Sequence, residues 1–181
     1  KNFKKIKVNQ AIKHPTWKMG KKISIDSATL VNKLFEVIEA QRLFNINMDK
    51  ISIKIHSQSY IHSIVQFRNG LIKICAHEPD MAIPIVNSLN KNIHYKSKIK
   101  TNFKILNSLN FTDVDKKKFP IIRILEKYPN HCSLFDTALV SVNDELVNLF
   151  LNKKISFEDI FKNLLNILNL ESIKKLKKIV P

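Results

Sequence analysis

Thr29, Asn32, Lys33 and Glu36 recur at intervals of three and four, the spacing that lines residues along one side of a helix, and Ser27 lies near the predicted start of that helix. Hydroxyl, amide, ammonium and carboxylate groups in that order are what a site for a small phosphorylated substrate beside a metal ion needs. A helix start offers unpaired backbone donors and a partial positive charge. With the Ser27 hydroxyl and the Lys33 ammonium added, a phosphate dianion can exchange its hydration shell for protein donors there. At about 1.5 Å of rise per residue, Ser27 to Glu36 spans roughly 13 Å, room for phosphate at one end and a divalent cation at the other. Mg²⁺ and Mn²⁺ prefer oxygen ligands and usually take one or two carboxylates from a protein, so Glu36 is one member of an incomplete set. The same pattern also describes an ordinary solvated helix face.

The element that must carry these groups is an amphipathic helix. Leu30, Val31, Leu34, Val37 and Ile38 form its apolar stripe, and Ser27 or Asp26 is the predicted N-cap. Upstream, His14 and Trp17 flank Pro15 and precede Gly20, large contact groups beside backbone punctuation, as in a segment that closes over a site or in an ordered loop.

The segment HPTWKMGKKISIDSATLVNKLFEVIEA, followed by IHSQSYIHS and EPDMAIPI, resembles the catalytic domain of the 1-deoxy-D-xylulose 5-phosphate reductoisomerase family, NADPH- and divalent-metal-dependent enzymes of the methylerythritol phosphate route to isoprenoids. Three ordered motifs cover about the first ninety residues, and a weaker similarity runs through SVNDELVNLFLNKKISFEDI.

The resemblance implies that His14, Ser27, Asn32 and Lys33 hold the substrate's phosphate and hydroxyls, that Glu36 is a carboxylate ligand of Mg²⁺ or Mn²⁺, and that Glu36, Lys33 and His14 are the catalytic residues. It implies that Trp17 covers the substrate with Met19 beside it, that His62 lines the pocket, and that Gly20 and Met81 lie toward NADPH. A sugar phosphate substrate, a homodimeric parent and a bacterial cytoplasm or plastid are implied in the same way. The chain departs from the family in reading LVNKLFE where most members have Gly after the Lys, HSQS where Pro commonly follows the His, and SVNDE in place of an Ala-rich NAANE. None of these removes a proposed ligand; Leu34 adds buried area and helix propensity on the apolar face.

The family begins with a dinucleotide-binding domain and an acidic metal-ligand segment. A chain whose glycines are Gly20 and Gly70 holds no Gly-rich phosphate fingerprint, and it opens on Lys1. The expectation is the later part of a longer protein, short at its C-terminal end as well and inactive alone.

Length and composition, 181 residues and 44% hydrophobic, permit one domain or two small ones. A formal charge of +16 points toward acidic partners, yet 28 of the 31 basic residues are Lys (31 less Arg42, Arg68 and Arg123), whereas Arg is the favoured reader of bases and phosphates. The Lys clusters are spread along the chain as solvated faces, so nucleic acid is not an expected partner. No apolar run approaches the ~18 residues of a membrane span, and the opening KNFKKIKVNQ has no signal-peptide core. Cys75 and Cys132 suit neither a disulfide framework nor a zinc site and are expected to be buried or partly buried thiols. His56 and His62 have no Cys, Asp or Glu between them to complete a metal set.

ISIKIH, IHSIVQF and LIKICA read as strands, with Arg68, Asn69 and Gly70 as a hairpin turn, and EPDMAIPIVNSL as a turn leading into a short helix with Met81 at its beginning. NKNIHYKSKIKTN reads as an exposed connection. FPIIRILEKY, SLFDTALVSVNDELVNLFL and SFEDIFKNLLNIL have helical periods, the last capped by Ser156 with Asp159 three residues on. Asn143, Asp144 and Glu145 fit the outer face of their helix. The predicted class is α+β, a small sheet with helices followed by a C-terminal helical bundle: residues 1–95 a partial catalytic domain, 96–110 a connection and 111–181 a helical domain. The alternatives are a noncatalytic, partner-binding remnant and a basic nucleic-acid-binding module.

Overall fold

A computed structural model describes residues 3–13, 19–89 and 103–181. Of the expected connection at 96–110, residues 96–102 lie outside them, and 103–110 include a short helix rather than only an exposed linker. The class is α+β, with eight α-helices, four short strands and several 3₁₀ turns among the described residues.

Packing groups the chain differently from the sequential division at 95 and 111. One compact unit comprises Lys1–Ile53 with Val114–Pro181, and the other comprises Lys54–Asp113. In the first unit, α1 (Val8–Ala11), α2 (Lys21–Thr29) and α3 (Val31–Phe44) share one core with α6 (Leu134–Leu151), α7 (Phe157–Leu168) and α8 (Glu171–Lys175). The apolar stripe of α3 is buried as its spacing predicts: Val31, Leu34 and Val37 are inaccessible, with Leu30 and Ile38 half-buried beside them. Of these, Val31 and Leu34 share a cluster with Ile121, Phe135, Leu139, Leu146, Val147, Ile160 and Leu164, the hydrophobic driving force of this unit, and Leu30 and Ile38 pack against it.

The predicted single helix from Asp26 or Ser27 is instead two. Asp26 and Ser27 lie inside α2, and Leu30 breaks the run with φ 65°, ψ 11°, its N–H donating to the Ser27 carbonyl at 3.2 Å. A left-handed Leu costs on the order of 1–2 kcal/mol, and packing of its half-buried side chain against the core offsets that cost. Thr29 turns inward at the same break, donating its hydroxyl to the Ile25 carbonyl at 3.0 Å. The far half of α3 is fixed by long-range bonds: the Gln41 amide donates to the Asn130 carbonyl at 2.9 Å, and Arg42 pairs with Asp136 at 3.0 Å.

FPIIRILEK winds as a 3₁₀ helix, Pro120–Lys127, with Pro120 at its first position, where the missing N–H is harmless. The tighter winding still buries Ile121 and Ile122. Ser156 caps α7 as predicted, in a reciprocal box with Asp159.

In the second unit β2 (Ile61–Gln66) and β3 (Ile72–Ala76) pair antiparallel, closed by Gly70 at φ 86°. The register slips between Ile61 and Ser63, so His62 sits at a bulge, its ring stacked 3.7 Å from that of His77. ISIKIH forms only β1 (Lys54–Ile55), paired with β4 (Thr112–Asp113), and EPDMAIPI leads into α4 (Ala82–Leu89). The fifth helix, α5, is Phe103–Asn107. Cys75 and Cys132 are exposed rather than buried; Cys75 lies on a hairpin whose faces are both accessible. No helix of the described residues is long and apolar enough to cross a membrane.

Candidate functional site

Three of the predicted site residues converge on the first turns of α3. The Asn32 amide donates to one Glu36 carboxylate oxygen at 2.8 Å, and the Lys33 ammonium donates to the other at 2.6 Å. Three- and four-residue spacings bring these side chains together one turn apart. Lys33 and Glu36 are each a little under half exposed, so the cluster faces outward. Each oxygen of Glu36 keeps lone-pair capacity after accepting one bond, so an oxygen-seeking cation can approach an anion already oriented by its neighbours.

The beginning of α3 is electropositive. Its N-cap is Leu30, which has no polar side chain, and no acidic residue lies in the first turn, so the partial positive charge of the helix end is not offset from within that turn. Ser27 is half-buried in the last turn of α2 and is not the N-cap of α3. Thr29, expected on the same face, is inaccessible and belongs to the core.

Met19 and Gly20 lead into α2; Gly20 is its N-cap and accepts both the N–H and the hydroxyl of Ser24, at 3.1 and 2.9 Å. A side chain at Gly20 would meet no atom within 4 Å. His14 and Trp17 lie outside the described residues. His62 and Met81 belong to the second unit: His62 bonds the His77 carbonyl at 3.0 Å, and Met81 is about half exposed just before α4.

One group of residues behind the cluster was not singled out together by spacing. Asn143, expected on an outer face, is fully inaccessible, and its amide donates to the Asp26 carboxylate at 2.9 Å. Lys22 joins Asp26 at 2.7 Å and Asp144 at 3.0 Å. Burial pulls the pKa of the Lys22 ammonium down, but hydrogen bonds and charge from the two carboxylates outweigh it and hold the pKa above its ordinary value. The available signal was a carboxylate in the middle of the ISIDSAT run, which reads equally well as a cap.

Among the described residues no three His, Cys, Asp or Glu side chains gather as a metal-binding group. Glu36 fits a hard divalent cation as one ligand, and the remaining ligands are not among its described neighbours.

The profile of the 1-deoxy-D-xylulose 5-phosphate reductoisomerase C-terminal domain matches residues 1–44, and that of the DXP reductoisomerase C-terminal domain matches residues 77–180. A relative from Pelagibacter ubique, named 1-deoxy-D-xylulose 5-phosphate reductoisomerase, is 50% identical over 182 residues, covering 100% of this chain and 47% of its own length. One from Endomicrobium trichonymphae with the same name is 42% identical over 90% of this chain and 42% of its own. A crystal structure of DOX-P reductoisomerase with NADPH, fosmidomycin and magnesium superimposes with a TM-score of 0.84 at 32% identity, over 96% of this chain and 43% of that one. The Zymomonas mobilis enzyme in complex with NADPH gives 0.76 at 30% identity, over 97% and 48%.

The architecture is therefore that of an α+β C-terminal enzyme domain. The chain belongs to the 1-deoxy-D-xylulose 5-phosphate reductoisomerase family, as its motifs lead one to expect, and it spans about half the length of the relatives it matches.

Proposed function

We propose that this chain forms the substrate- and metal-facing part of an NADPH-dependent reductoisomerase that converts 1-deoxy-D-xylulose 5-phosphate to 2-C-methyl-D-erythritol 4-phosphate in isoprenoid biosynthesis. The observation that carries the proposal is the convergence of Asn32, Lys33 and Glu36 at an uncapped helix start, in a member of this family. Solved relatives hold NADPH and magnesium, the cofactors this function requires, and one of them also holds fosmidomycin.

In this reading Ser27, Asn32 and Lys33 bind the substrate's phosphate and hydroxyls, and the family resemblance carries the substrate roles of His14, Trp17, Met19 and His62 and the cofactor roles of Gly20 and Met81. Lys33 supplies a compact positive charge that favours the phosphate dianion, and the donors at the start of α3 add directional bonds. Glu36 holds a divalent ion, Mg²⁺ or Mn²⁺, which when bound polarises adjacent carbonyl and hydroxyl oxygens. Asn32 and Lys33 orient that carboxylate, each donating to one of its oxygens. Hydride comes from NADPH, and because the chain spans about half the length of its relatives, the rest of the cofactor site and the other metal ligands are assigned to the remaining half, so the isolated 181 residues do not turn over substrate. The complete enzyme acts as a homodimer in the bacterial cytoplasm or a plastid.

The test is Glu36→Gln in the full-length gene product, assayed for Mg²⁺-dependent, NADPH-dependent consumption of 1-deoxy-D-xylulose 5-phosphate. Loss of a direct metal ligand should exceed the ~10–100-fold cost of losing an outer-shell partner. Turnover by the variant at the wild-type rate would overturn the assignment of Glu36.

A further inference from the structure

Asn143 stands in the middle of α6 among Leu139, Val142, Leu146 and Val147, an otherwise apolar stretch of the buried face. It is inaccessible, and its carbonyl oxygen has no hydrogen-bond partner among the described residues. A buried acceptor left unpaired is costly, so packing alone does not account for an amide at this position. What the amide does make is one bond, to Asp26 on α2 at 2.9 Å, across 117 residues of sequence.

Asp26 is only 3% exposed, and a carboxylate that deep needs charged partners. It has Lys22, one turn earlier, and Lys22 in turn reaches Asp144 of α6 at 3.0 Å and lies 5.9 Å over the ring of Phe35 on α3. Asn143, Asp26, Lys22, Asp144 and Phe35 thus join three helices in one polar cluster. Its placement relative to the site is direct: Asp26 immediately precedes Ser27, and Phe35 immediately precedes Glu36. Between those two lies the left-handed junction at Leu30, where α2 gives way to α3.

We infer that Asn143 and Asp26, with Lys22, are positioning residues: they clamp α6 to the end of α2 and so fix where Ser27 stands relative to Asn32, Lys33 and Glu36. A junction with a strained residue needs its flanks held from outside, because the local chain gains nothing by staying there. Thr29 ties the last turn of α2 to itself, but only the Asp26 contact ties that turn to another helix by a side-chain hydrogen bond among the described residues. This role rests on the proposed site, and its test separates the two.

The test measures magnesium-dependent binding of fosmidomycin to the full-length gene product. Asn143→Ala should weaken binding at least tenfold. Asn143→Asp should do so too, since it places two carboxylates in hydrogen-bond range within a buried cluster. Combining Asn143→Asp with Asp26→Asn exchanges amide and carboxylate between the helices at unchanged net charge, and binding should return to within threefold of wild type; a merely bulky or apolar requirement at 143 would give no such rescue. In the wild type, where no variant has to fold, hydrogen exchange should show fosmidomycin and magnesium protecting the α6 segment around Asn143 together with residues 27–36, because coupling between two places is reciprocal. Protection confined to 27–36 overturns the clamp. Normal binding by Asn143→Ala with loss in Glu36→Gln also overturns it while leaving the site intact, and normal binding by both variants overturns the site as well.

Discussion

Asp136 is gripped from two sides, by the Tyr128 hydroxyl at 2.6 Å and by the Arg42 guanidinium at 3.0 Å, which fastens the far half of α3 to the first turn of α6. Burial, then the hydrogen bond to Asp136, raises the Tyr128 phenol far above its ordinary pKa. A raised folded pKa means that the native state holds its proton more tightly than the unfolded chain does. The resulting stability is complete below the unfolded value near pH 10 and is lost as pH climbs through the folded one. Tyr128→Phe removes a hydrogen bond to a charged acceptor and should lower unfolding free energy by about 1.5–3 kcal/mol at pH 7. Urea denaturation of the two proteins at pH 7 and at pH 11 checks both claims, since the gap should narrow at the higher pH. At this scale the sequence was legible where one turn of helix sufficed, as with Asn32, Lys33 and Glu36. It was not legible for Asn143, because an amide on a helix shows no sign of the buried carboxylate 117 residues away that it bonds.

Elements follow the same division between local and distant causes. Ser156 caps α7 through bonds within four residues: the Asp159 N–H donates to its hydroxyl at 3.3 Å, and the Ser156 N–H donates to the Asp159 carboxylate at 2.8 Å. Such a cap is written in the local sequence, and so was the hairpin turn at Gly70. Ser156→Ala should cost about 1 kcal/mol and Ser156→Gly only a few tenths, measured by chemical denaturation with unchanged m-value. The break at Leu30 escapes local reading because Leu is a poor left-handed residue, and the core packing of its side chain that offsets the cost comes from residues distant in sequence. The same limit explains the shortened strand in ISIKIH. Alternation marks a pleated segment, but the partner, Thr112–Asp113, offers just two residues for pairing.

Across the whole molecule, burial is distributed unevenly between the two units. The first encloses a core from α3, α6 and α7, with Phe3 stacked on Phe157 at 6.0 Å so that the earliest described residues join it. Among the described residues of the second, only Tyr60 is buried, while Ile64, Val65, Leu71, Ile72 and Ile74 of its hairpin remain about half exposed. A two-stranded hairpin with little buried apolar area is marginally stable, and local opening is governed by how much such area holds a segment closed. The backbone N–H groups of β2 and β3 should therefore exchange with deuterium at least a hundredfold faster than those in the centre of α6 in the 181-residue protein at neutral pH. A hundredfold gap corresponds to about 2.7 kcal/mol between local and core opening. Equal protection in the two segments would mean that the hairpin opens only with the core, and the uneven burial would then not set the order in which the molecule comes apart.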